Sequence, residues 1–292
     1  MSNANNLPAH VEFTTHTGMN GYHSMVGRRM DNVNDSNPYR IGFEVEKMNV
    51  TAKSLIEAHE PLAPGWVAER DGSLDGAGAG GYELISPAYN ICFQERINTA
   101  LEAMATFIDA EPANRAHANA CGGHIHISDS RVTADALADR IKPLFPLLMV
   151  MYPTRLRNAY VNCNKFGYMK RRTGNKYQPF YIRSSEIGRT IEFRIFPHVK
   201  SVKQLKWRMR LICYFLNAAK HGSLTFDWMA KELMNSGSGL CAILSEVYTQ
   251  QELKQKATMY WSAAAFFFTD RPLHEVVQPV FGAARMNRTP IY

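Results

Sequence analysis

The chain has 292 residues, 46% hydrophobic and 20% charged, with a net charge of +7 from 33 basic and 26 acidic side chains. That composition belongs to a globular protein able to bury a core, and no run approaches the roughly 18 apolar residues of a membrane span. Five scattered cysteines, Cys92, Cys121, Cys163, Cys213 and Cys241, form no CxxC pair, which argues against a disulfide framework or thiolate zinc site and for reduced thiols in a cytoplasmic setting.

Residues 1 to about 38 are rich in Asn, His and Gly and carry one strand-like run, Val11-Glu12-Phe13-Thr14-Thr15. They read as an N-terminal extension, partly ordered, without the charged-then-apolar layout of a secretory leader. From 39 to 292 a single domain is expected. Strands are predicted at 40–48, 66–69, 82–86, 123–128 and 190–196, each short and bounded by Gly, Pro, Ser or Asp. Helices are predicted at 51–59, 91–110, 133–150, 201–220, 226–235 and 239–256. The segment 91–110 has Ile97, Leu101, Met104 and Ile108 at helical spacing, and 201–220 opens on a capping box, Ser201-Val202-Lys203-Gln204. An α+β architecture follows: a largely antiparallel sheet backed by helices, with a mostly helical C-terminal portion from about residue 200.

Three of these strands share one pattern. In "GFEVE", Phe43 and Val45 lie on one face and Glu44 and Glu46 on the other. In "GHIHIS", Ile125 and Ile127 oppose His124, His126 and Ser128; in "TIEFRIF", Ile191, Phe193 and Ile195 oppose Glu192 and Arg194. Half-exposed strands alternate this way routinely, and taken singly each fits a solvated face. Together the second faces hold Glu, His and Arg rather than the Lys, Thr, Ser and Glu mixture of a wet surface. Carboxylate with imidazole points to a divalent metal, and the excess of glutamates over histidines favours Mg²⁺ or Mn²⁺ over zinc.

The run "WVAERDGSLDGAGAGGYELISP" adds Asp71, Asp75 and Glu83, and Gly76, Gly78 and Gly81 satisfy GxGxxG. That run precedes a strand instead of opening a helix, so it reads as a hairpin or active-site loop rather than a dinucleotide fingerprint. Between Lys165 and Arg189 lie seven basic residues (Lys165, Lys170, Arg171, Arg172, Lys176, Arg183 and Arg189), interleaved with Phe166, Tyr168, Tyr177, Phe180 and Tyr181. This mixture suits base stacking and phosphate neutralisation, a cover over a triphosphate or acidic substrate, or a loop whose aromatics pack on the core.

The order E-x-E (Glu44, Glu46), DGSL…ELISP, CGGHIHIS, an arginine-bearing "PTRLRNAY" and E-F-R (Glu192 to Arg194) resembles ATP-dependent amidoligases, the carboxylate–amine ligases related to glutamine synthetase and γ-glutamylcysteine synthetase. The resemblance spans roughly residues 40 to 200. It implies a glutamine synthetase-like catalytic fold in which a curved sheet forms the active-site cleft. It further implies that Glu44, His124 and Glu192 hold one metal ion, and Glu46 with Glu83 a second. His126, Ser128 and Arg172 would lie near ATP, with Arg189 and Arg194 on the transferred phosphate or the substrate carboxylate. The signature substrate loops of glutamine synthetase are missing, and no second acidic position is evident near Glu83, so glutamate and ammonia do not follow as substrates.

The implied reaction joins a small-molecule or peptide carboxylate to an amine through an acyl phosphate, with Mg²⁺ or Mn²⁺, two ions in all, neutralising the polyphosphate. Two alternatives stand beside it: a nucleic-acid-binding protein using segment 165–189, and a metal-dependent hydrolase using His124 and His126 with carboxylates. Cys121 and Cys163 rank lower as nucleophiles, since buried cysteines are commoner than catalytic ones. No membrane partner is expected, and the oligomeric state is not legible.

Overall fold

The computed structural model describes residues 37–48, 62–69, 74, 82–110, 121–157, 178–182 and 190–265. The N-terminal extension, the helix expected at 51–59, and most of the glycine-rich and basic-aromatic segments lie outside them. Strand β1 (Tyr39–Lys47) runs through the middle of the sheet. Around it are β2 (Val67–Glu69), β3 (Tyr82–Ile85), β4 (Tyr89–Asn90), β5 (Gly123–Asp129), β6 (Phe180–Ile182) and β7 (Ile191–Phe193). The order is β2-β3-β1-β5-β7-β6, with β4 pairing separately with the start of β1. Every pairing is antiparallel.

Among the described residues eight α-helices accompany the sheet: α1 (Gln94–Ala103), α2 (Ala105–Ile108), α3 (Ala134–Ile141), α4 (Leu144–Met151), α5 (Val202–Lys220), α6 (Phe226–Met234), α7 (Gly239–Leu244) and α8 (Gln250–Ala265). No described helix is long and apolar enough to cross a membrane. Three segments expected as single helices are each two. The first breaks at Met104, whose backbone leaves the helical region. The second breaks at Lys142-Pro143, where the proline lacks an N–H to continue the ladder.

The third break carries its own caps. Ser238 accepts from the Cys241 N–H at 3.0 Å to start α7. Thr249 and Glu252 then form a reciprocal box that starts α8: Thr249 N–H donates to Glu252 at 2.7 Å, and Glu252 N–H to Thr249 Oγ1 at 3.3 Å. At α5, Ser201 accepts from Gln204 N–H as expected. The Gln204 side chain, however, reaches one residue further back than a standard box, to Lys200 N–H at 2.9 Å.

The sequence pattern missed β4 and β6, which are too short to show a period. The strand expected at 190–196 ends at Phe193, because a turn at Arg194 and Ile195 redirects the chain. Pairing nonetheless persists beyond it, with Ile195 N–H donating to Pro179 O at 3.0 Å.

The apolar face of the sheet and all the helices from α1 to α8 contribute to one hydrophobic cluster, running from Tyr39 to Ala264. Phe145 of α4 stacks on Phe180 at 4.4 Å and meets Phe193 edge-on at 6.2 Å. Phe180, one of the aromatics interleaved with basic residues, is therefore a core residue of β6. Each such buried side chain contributes about 1.5–3 kcal/mol relative to exposure. Lys47, at the end of the apolar face of β1, is buried too; its Nζ donates to Val199 O at 2.6 Å and Ala110 O at 3.0 Å.

Candidate metal centre

The opposite face of the sheet is polar, and its site begins with register. Glu44 lies directly across from His124 on β5, Glu46 across from Glu83 on β3, and His126 across from Glu192 on β7. Directly opposed side chains start about 4.5–5.5 Å apart at Cβ, so these pairs meet without any loop to position them. His126 is also paired with Gly42, whose missing side chain leaves its β1 flank open for Glu44 to reach diagonally.

The two Glu44 oxygens serve different partners. Oε1 lies 2.6 Å from His124 Nδ1, and Oε2 lies 3.0 Å from His126 Nε2. The same His124 nitrogen is 3.5 Å from Glu192 Oε1 and 3.8 Å from Glu46 Oε1. Arg194 donates to Glu192, and Gly122 N–H donates to Glu46. Burial pushes the Glu44 carboxyl upward as the largest single influence. The His124 charge and hydrogen bonds with Glu83, His124 and His126 together outweigh it and hold the group well below the usual carboxylate range.

These groups resolve into two overlapping triads, Glu44/Glu46/His124 and Glu44/His126/Glu192, each with its ligand-type atoms within 4.8 Å of one another. Their donor chemistry fits a divalent cation: two carboxylates and one imidazole per triad, offering hard oxygens with one borderline nitrogen. Four carboxyl groups gathered out of water are costly unless positive charge compensates them. Among the described residues, the positive groups near these carboxylates include Arg194 and Arg155, and Arg155 donates to Arg194 O at 3.5 Å. Burial lowers the Arg155 guanidinium to about 10, against the pull of Glu46 in the other direction.

Two glycines explain why the cluster can close. A Cβ on Gly122 would lie 2.2 Å from His124 Nε2, so the imidazole folds back over a bare backbone. A Cβ on Gly123 would lie 2.3 Å from Val199 Cγ2. "CGGH" thus combines a donor to Glu46, a seat for His124 and a tight crossing of two segments of the chain.

Of the residues singled out from the sequence, Glu44, Glu46, Glu83, His124, His126, Glu192 and Arg194 come together on this face. By distance His126 groups with Glu44 and Glu192, where the resemblance implied a place beside the nucleotide, and Glu46 groups with His124. Ser128 is set apart, half-buried towards the far end of β5 opposite Arg40. Arg172 and Arg189 lie outside the described residues. Arg155 was not singled out, although it stands within the arginine-bearing "PTRLRNAY". Pairing register places Glu69, Glu83 and Glu46 in one row across three strands. Only strand pairing exposes that row, because the glutamates come from separate segments. No family model and no curated protein matches this chain.

Proposed function

We propose that the chain is an ATP-dependent carboxylate–amine ligase that uses Mg²⁺ or Mn²⁺ at the carboxylate–imidazole face. The observation that carries the reading is the convergence of Glu44, Glu46, His124, His126 and Glu192 in two triads that share Glu44, beside Arg194. Glu44, Glu46, His124, His126 and Glu192 would hold the cations, with Glu83 supporting Glu44. Bound metal would neutralise polyphosphate charge and fix the γ-phosphoryl group for in-line transfer.

In this reading the substrate carboxylate takes the γ-phosphoryl of ATP, releasing ADP. An amine then displaces phosphate to form the amide and loses a proton. Arg194 would stabilise the equatorial oxygens of the transferred phosphoryl group, and its contact with Glu192 holds the guanidinium in place. The ordered motifs from Glu44 to Arg194 support a ligase over other metal enzymes.

A second reading, a metal-dependent hydrolase, draws on one observation: both histidines, not one, belong to the triads. The two separate on nucleotide dependence. ATP-dependent phosphate release that needs both a carboxylate and an amine, and that Glu44→Gln and Glu192→Gln each abolish while the fold survives, is the expected result. Turnover unchanged in both variants removes the metal assignment, and hydrolysis indifferent to ATP favours the hydrolase.

A further inference from the structure

We infer that Arg208 is a positioning residue for this face, fixing His124 from behind through the main chain where β5 begins. The inference rests on the cation reading of the cluster. Arg208 sits within α5 and is fully buried. Among the described residues its guanidinium meets carbonyls and rings rather than a carboxylate. Nη1 donates to Pro197 O at 2.8 Å and Gly123 O at 3.5 Å, and Nη2 to His198 O at 3.3 Å. The Phe196 ring lies 5.2 Å away, and Tyr152 is a further hydrogen-bond partner.

Burying a cation this way costs more than filling the same space with leucine or methionine. What arginine adds is geometry, since one planar fork grips three carbonyls on two separate segments. Those segments are the ones that matter for the cluster. Gly123 immediately precedes His124. Pro197 forms a bridge with Gly122, whose N–H holds Glu46. The apposition is close enough that a Cβ on Gly123 would come 2.7 Å from Arg208 Nη1. His124 is thus confined on one side by the bare Gly122 backbone and on the other by a strand end tied to α5. Sideways movement of that strand end would break the 2.6 Å contact with Glu44.

The test uses the full chain, with ¹⁵N-imidazole NMR of the metal-free protein and calorimetric titration with Mn²⁺. Arg208→Met is expected to displace the His124 resonances and weaken Mn²⁺ binding about tenfold or more. Arg208→Lys, which keeps the charge and part of the carbonyl contact, restores part of each. Leu216→Ala removes buried packing from the same helix about 12 Å along it from Arg208; it should lower the melting temperature and leave the His124 resonances in place.

His124 resonances at wild-type positions in folded Arg208→Met overturn the proposal. If that variant does not fold, Arg208→Lys decides by the same criterion, displacement sustaining the proposal and wild-type positions ending it. A wild-type chain that binds no Mn²⁺ overturns the cation reading instead, and the imidazole resonances still decide Arg208.

Discussion

On one face of the sheet Ile41, Phe43, Val45, Ile125, Ile127, Ile191 and Phe193 are at most 1% exposed; on the other, Glu44, Glu46, His124, His126 and Glu192 are at most 7% exposed. Both sets come from the same strands, one residue apart. Burying the first set drives folding. Burying the second opposes it, and the opposition is offset by charge-assisted hydrogen bonds among the groups themselves and, on the reading above, by a cation. Exposure alone therefore does not identify a core. Two equally hidden layers can have opposite energetic signs, and the layer that costs stability is where function should be sought.

That contrast can be broken most forcefully on the apolar side. Phe193→Ala should cost about 3–5 kcal/mol in denaturant unfolding, because Phe145, Phe180 and Phe196 cannot close over the gap. A loss below about 1 kcal/mol would mean that the aromatic cluster is not packed as described. Gly122→Ala comes next, at about 1–3 kcal/mol, since the new Cβ must push the His124 ring aside. Its Mn²⁺ affinity, measured by calorimetry, should suffer more than its stability.

A smaller effect depends on pH. Burial, then the charges of Lys47, Arg208 and Lys200, lower His198 from 6.5 to about 3. Between those values the unfolded chain binds a proton that the folded chain does not. The contribution is therefore fully present above about pH 6.5 and lost progressively as pH falls towards 3. His198→Gln should flatten the stability profile across that window, and an unchanged slope would place the sensitivity elsewhere. On the polar side, Glu44→Gln should also lower stability near neutral pH, because the folded chain holds that carboxyl ionised against both histidines. Denaturant unfolding of the metal-free variant with no loss of stability would show that these histidine contacts do not support the fold.

Much of this was legible beforehand because β-alternation is a strict period of two. It placed Glu44, His124 and Glu192 on the face opposite Phe43, Ile125 and Phe193. What stayed hidden was pairing. Nothing in "VAE" or "YELI" shows that Glu69 and Glu83 stand opposite each other, nor that His126 faces Glu192, since register is a tertiary property. The helix breaks divide differently. Pro143 and the Thr249–Glu252 box mark two of the breaks in the residues themselves, beneath a continuous apolar spacing, whereas the break at Met104 has no local mark. Arg208 was invisible for another reason: in sequence it is one more cation on a basic helix, and only its burial distinguishes it.

The alternation also bears on how faithfully the chain finds its fold. A slip of one residue between β1 and β5 would turn Glu44 and Glu46 into the hydrocarbon layer and Phe43 and Val45 out among His124 and His126. Each misplaced apolar side chain would forfeit about 1.5–3 kcal/mol, and each carboxylate would enter oil without its hydrogen bonds. Such a mispaired sheet should be too unstable to persist as a kinetic trap. The carboxylates that burden the correct sheet penalise its nearest competitor more heavily, so the polar face acts as a proofreader of strand register during folding.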